Sequence, residues 1–78
     1  MIEAAQIRAA RGLVEWSQTQ LAEASGLALS TIRRMEVAGG TLKSSVENVL
    51  KVQRALEGAS VIFIDEDEEG PGVRLRKS

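Results

Sequence analysis

Residues 17–36 read SQTQLAEASGLALSTIRRME, a stretch that encodes two short helices joined at a glycine. Ser17 is a helix-capping residue, and Gln20 three positions later completes a capping box, in which each side chain serves the other residue's backbone N–H. Trp16 and Leu21 flank this start in the positions of a hydrophobic staple. The pattern predicts a helix from Gln18 to about Ser25, with Gly26 giving the backbone freedom to turn. A second helix fits Leu29–Val37, stopped by Gly39-Gly40. Helices this short, crossing at a sharp angle, restrict residue type at particular positions. Ala22 is small where the later helix crosses close above it. Leu21, Leu27, Ile32 and Met35 are the apolar residues able to tie the pair to a core, and Gly26 is the turn between them.

Upstream, Glu3–Val14 is alanine-rich and carries Ile7, Ala10, Leu13 and Val14 at helical spacing. Downstream, Ser44-Ser45-Val46-Glu47 reads as another capping box. It opens a helix bearing Val46, Val49, Leu50, Val52 and Leu56 and ending at Gly58. The period then changes. Val61-Ile62-Phe63-Ile64 is β-branched and aromatic, hence a strand, and Val73–Arg76 alternates as a second one. Between them lies an acidic, glycine- and proline-containing loop, Asp65–Gly72, long for a hairpin. The expected fold is mainly α: four to five helices followed by a short C-terminal β-hairpin, organised as residues 1–58 and an extension, 59–78.

Composition narrows the functional classes. The chain has 78 residues, 44% hydrophobic and 27% charged, which is ordinary globular composition for one small domain. Cysteine and histidine are both absent. That leaves no disulfide, no Cys/His metal site and no histidine- or cysteine-based catalysis. No phosphate-cradling glycine motif, nucleotide fingerprint or hydrolase elbow is present, and the acidic run lacks the spacing of a calcium loop. No enzyme activity, metal or cofactor is expected. Met1–Ala10 carries Glu3 and Arg8 and does not read as a signal peptide, and the apolar run Val61–Ile64 is far too short for a membrane span. A cytoplasmic location without membrane association is the expectation.

The net charge of −1 conceals an uneven distribution. Residues 1–60 hold seven Lys/Arg against six Asp/Glu, residues 65–69 hold five acids, and Arg74, Arg76 and Lys77 make the end basic. The body is therefore nearly neutral, and the direction of its arginines decides what it can bind.

Taken together, the Ser-Gln start, the Leu-Ala pair, the Gly-Leu turn and Ser30-Thr31-Ile32-Arg33-Arg34-Met35-Glu36 resemble the helix-turn-helix of the Cro and phage-repressor (XRE) family. The resemblance covers roughly Gln6–Leu56. The hairpin-like ending resembles that of small stand-alone regulators in that family, where it replaces a final helix. Three positions depart from the pattern: Ala28 lacks a capping side chain at the expected N-cap, Ser25 replaces a larger residue, and Leu29 stands where a polar base-reading residue is common.

The resemblance implies a repressor-like fold and sequence-specific binding to double-stranded DNA by a dimeric transcriptional repressor, its third helix in the major groove. With Ile32 and Met35 inward, Ser30, Arg33, Arg34 and Val37 point outward and Leu29 lies on the flank. By family position Leu29, Ser30 and Arg34 face bases, Thr31 and Arg33 meet phosphates, and Gln18 bonds a phosphate while bracing the third helix. Arginine pairs bidentately with guanine, and leucine can pack on a thymine methyl. In isolation, an Arg-Arg pair is more simply a solvated helix face, Gln18 a helix-start surface residue, and Trp16 a packing residue. For Asp65–Glu69 a solvated loop is the plain alternative to a metal site or a DNA mimic. The strand Val61, Ile62, Phe63, Ile64 is apolar on both faces. Val61 and Phe63 suit the fourth helix, and a homodimer pairing these segments would cover Ile62 and Ile64. The alternative function is an antitoxin-like or adapter protein whose tail binds a partner protein.

Overall fold

The computed structural model of the protein describes residues 1–77 and runs α1 (Ala4–Val14), α2 (Gln18–Ser25), α3 (Leu29–Met35), α4 (Val46–Gly58), β1 (Val61–Ile64) and β2 (Gly72–Leu75). The four helices and the C-terminal hairpin expected from the sequence are present, with no fifth helix among the described residues. At the head of α2 the capping box forms as read: Gln20 N–H donates to Ser17 Oγ at 3.1 Å, and Ser17 N–H donates to Gln20 Oε1 at 2.8 Å. Gly26 closes α2 at φ 75°, in the left-handed region where a side chain is strained.

Four boundaries differ from the sequence reading, the first because Glu3, in extended conformation, caps α1 and the helix begins at Ala4. The third helix ends at Met35, not Val37, and the chain from Val37 to Ser44 folds back over its C-terminus. Gly40 sits so close that a Cβ there would lie 2.2 Å from the Arg34 carbonyl oxygen and 2.6 Å from that of Met35. The cap of α4 is Ser45, whose Oγ accepts the Asn48 N–H at 3.1 Å, because the Ser44 hydroxyl is already donated to the Gly40 carbonyl at 2.9 Å. Glu47 therefore closes no capping box. The second strand starts one residue early, at Gly72, which pairs with Ile64, and ends at Leu75 opposite Val61. Ile64 Cδ1 lies 3.7 Å from where a Gly72 Cβ would stand, ordinary van der Waals contact across the pair.

One core joins the described elements. Ile7 and Ala10 of α1, Leu21 and Ala22 of α2, Ile32 and Met35 of α3, and Val49, Val52 and Leu56 of α4 are buried in one cluster with Ile2 and Val61. Trp16, Leu27, Leu29, Phe63 and Val73 pack partly against it. Periodicity over-assigned three positions. Leu13, Val46 and Leu50 are exposed, since successive helix residues differ by about 100° and each of these falls on a flank of its stripe. The antiparallel hairpin packs on α1 and α4, while α3 packs on α2.

A buried polar residue fastens the hairpin to α1. The Gln6 side chain is 5% exposed; its Nε2 donates to the carbonyls of Ile64 (3.2 Å) and Gly72 (3.0 Å), and its Oε1 accepts the Glu3 N–H at 2.8 Å. Such a residue costs stability unless every polar atom finds a partner, and here each does.

The contact at Gly40 sets up a comparison between adjacent glycines. Gly40→Ala drives a methyl into two backbone carbonyls and should cost about 3 kcal/mol in urea unfolding. Gly39 has φ 74° and open space around it. Gly39→Ala should cost only the left-handed strain, about 1 kcal/mol.

Candidate nucleic-acid interface

Helix α3 has two unlike faces. Ile32 and Met35 are fully buried, whereas Ser30, Arg33, Arg34 and the following Val37 are exposed, as the spacing predicts. Thr31 is half-buried, and its Oγ1 accepts a long bond of 3.4 Å from Arg34 Nη2. Leu29 is also half-buried and packs against the core, so only part of it faces out at the head of the helix. Ala28 precedes it in extended conformation without a side-chain cap. Among the described residues neither Arg33 nor Arg34 is in an ion pair, so both guanidinium charges remain available. Both lie in the last turn of α3, where the helix dipole favours a cation.

A polar junction that sequence spacing did not reveal sets the position of this helix. Glu36, the residue that ends α3, is 4% exposed. Its carboxylate accepts a two-pronged contact from Arg11 of α1, Nε to Oε2 at 2.6 Å and Nη2 to Oε1 at 2.8 Å. Gln18, the first residue of α2, adds Nε2 to Oε1 at 3.2 Å. Arg11 Nη1 also donates to the Trp16 carbonyl at 3.0 Å, and Arg8 Nη1 donates to the Glu36 carbonyl. Three helices thus meet on one carboxylate. The hydrogen bonds that Arg11 donates to Glu36 raise the Arg11 pKa above its ordinary value; partial burial lowers it and the charge of Glu36 raises it, with the net upward. The stabilisation from that shift is fully present below the ordinary arginine pKa and would be lost only in stronger base.

The structure therefore places Ser30, Arg33 and Arg34 together on the open face, Thr31 at its edge, Leu29 at its boundary with the core, and Gln18 inside the junction. Arg8, Arg11 and Glu36 escaped the sequence reading, because Arg11 and Glu36 stand 25 residues apart and share no local spacing. One signal was available. Arg11 follows Ile7 by four on the buried side of α1, and a charge there needs a partner. Lys43, exposed in the turns after α3, was likewise not singled out.

On the hairpin, Asp65–Glu69 are exposed. Asp67 orders this loop: its Oδ1 accepts the Glu69 N–H at 2.8 Å and its carbonyl the Gly70 N–H at 3.1 Å. Among the described residues no group of three or more acids is placed to hold a metal ion, and no helix is long and apolar enough to cross a membrane.

Residues 7–60 match a family model described as helix-turn-helix. No curated protein matches the chain.

The junction predicts an asymmetry between single and double substitution. Arg11→Ala leaves the buried Glu36 carboxylate with Gln18 as its one remaining side-chain donor among the described residues. It should lower stability by about 3–5 kcal/mol in urea unfolding. Arg11→Met combined with Glu36→Met removes both charges and should recover most of that loss.

Proposed function

Because the chain belongs to the helix-turn-helix family of XRE type, whose members are DNA-binding regulators of transcription, we propose that it is a sequence-specific repressor that binds its operator as a two-fold dimer. The observation that carries this reading is the division of α3: one face wholly buried, the other presenting Ser30, Arg33 and Arg34 with no acidic partner among the described residues. In the major groove, Arg34 bonds a guanine edge, Ser30 donates or accepts at the neighbouring base, and the open part of Leu29 packs on a thymine methyl. Thr31 and Arg33 contact phosphates. Gln18 braces the helix through Glu36 and turns its remaining bonding capacity toward the backbone of the duplex. Phosphate contacts set orientation, and base contacts set sequence preference.

One domain of this size covers half a site, and a half-site contact rarely gives strong specific binding by itself. Two copies joined so that their third helices lie about 34 Å apart reach successive major grooves. The surface for that union is the outer face of the hairpin. Val61 and Phe63 are taken up by the protomer's own core, whereas Ile62 and Ile64 stay half-exposed outside it. Occupation of a promoter by such a dimer excludes other proteins from it. The acidic loop, exposed beside these isoleucines, favours a second reading in which the hairpin grips a basic partner protein and the helix-turn-helix controls expression of the pair.

Selection of bound duplexes from a random pool, followed by mobility shifts, tests the first reading. A two-fold symmetric sequence should emerge, with affinity falling linearly in log salt. If no sequence outcompetes random duplex at any salt, the reading fails. Arg34→Ala should cost about 1–3 kcal/mol on the selected site and relax one base position. Arg33→Ala should instead weaken all sequences alike and reduce the salt slope by about 1.

A further inference from the structure

The hairpin is electrically polarised along its length. Strand β1 leads into the exposed Asp-Glu-Asp-Glu-Glu run at 65–69, and β2 leads back to Arg74, Arg76 and Lys77, also exposed. Arg74 stands opposite Ile62, and Arg76 N–H donates to the Ser60 carbonyl at 2.8 Å, so the three cations cluster at the root of the hairpin while the acids crowd its tip. From Ile62, opposite Arg74, to Asp65 is three residue steps of about 3.3 Å, roughly 10 Å, and Arg76 and Lys77 lie farther back. That exceeds the Debye length of about 8 Å at physiological ionic strength, so the attraction between tip and root within one chain is largely screened.

The register also fixes which side chains share a face. Val61, Phe63 and Val73 pack toward the helices, with the exposed Leu75 in register on their side, and Ile62, Ile64, Gly72 and Arg74 lie on the other. At the basic root an open hollow of about 300 Å³, lined by Ile62, Arg74, Leu75, Arg76 and Lys77, reaches from this outer side round the end of β2. It has an aliphatic floor and a cationic rim. At the acidic tip the same face offers Ile64 beside Asp65. An apolar residue next to carboxylates matches the aliphatic and cationic lining of that hollow in polarity and charge.

We propose that the occupant is a second copy of this chain, its hairpin laid antiparallel on the first, so that the tip of each protomer enters the basic root of the other. This rests on the dimeric reading given above and names the residues that select the partner and its direction. Parallel docking would set five acids against five acids. Antiparallel docking about a two-fold axis satisfies both ends at once, covers Ile62 and Ile64 with their counterparts, and closes without an open surface for a third copy. The opposed charges fix direction and reject mismatched partners, and the aliphatic pair supplies the apolar contact. Because salt weakens both this contact and the contacts to phosphate, operator occupancy falls more steeply with ionic strength than one DNA interface alone would dictate.

A charge-swap experiment on the full chain tests this, read by sedimentation equilibrium with circular dichroism to verify folding. The tip variant carries Asp65→Lys, Glu66→Lys and Glu68→Lys, sparing Asp67 because it orders the loop. The root variant carries Arg74→Glu, Arg76→Glu and Lys77→Glu. Each alone should dimerise at least about tenfold more weakly than the wild type, since like charges now meet at both ends. An equimolar mixture should restore a one-to-one dimer, because both ends are again complementary. If each variant dimerises as tightly as the wild type, or the mixture stays monomeric, the reciprocal pairing is wrong even where the wild type is a dimer. A wild type that is monomeric at every concentration, yet shifts its selected duplex, overturns the dimer and leaves DNA binding standing.

Discussion

Glu36 is where the geometry of α3 is decided. A helix of seven residues has too few internal hydrogen bonds to hold its own direction, and its buried face offers only Ile32 and Met35 to fully close the contact. Apolar packing of that extent is nondirectional and would tolerate a roll of the helix about its axis. The Glu36 carboxylate removes that freedom, because Arg11 grips it with two nitrogens and Gln18 with a third. Removing these charges from water offsets much of the Coulomb attraction between them, so the junction's contribution is chiefly geometric. It holds the outward face of α3 in a fixed relation to α1 and α2.

The rest of the molecule follows from how little core is available. With 78 residues, no cysteine and two aromatic side chains in all, the chain can close an interior only by sharing it among every segment. Val61 is as buried as Val49, Val52 and Leu56 of α4, and Gln6 clamps the loop end of the two strands to α1. The hairpin is thereby held rigidly against the helical body, with its outer face at a set angle to α3. That coupling matters for two-fold recognition of a duplex, since the spacing between two third helices is only as well defined as the path joining them.

Charge is arranged on the same principle of separation. The acids of residues 65–69 stand on an element packed against α1 and α4, while Arg33 and Arg34, in no ion pair among the described residues, belong to an element packed on α2. Near-neutral overall composition is therefore compatible with DNA binding, because the potential a phosphate meets depends on local charge within about a Debye length.

Much of this was written locally in the chain. Ser17 and Gln20 fixed the start of α2, Gly26 its end, the β-branched run Val61–Ile64 the first strand, and the i, i+3 spacing of Ile32 and Met35 the outward direction of Ser30 and Arg33, since each depends on chemistry within a few residues. What lay beyond local reach was decided by tertiary structure. The third helix stops at Met35 because the chain returns over its carbonyls at Gly40. Ser45 caps α4 because Gly40 has claimed Ser44, and Leu13, Val46 and Leu50 stay exposed because no neighbour reaches their flanks. Arg11 and Glu36, 25 residues apart, and Gln6 with Ile64, 58 apart, are partners that no sequence periodicity encodes. Periodicity tells which side of an element is buried; only the folded chain brings a particular donor to a particular acceptor.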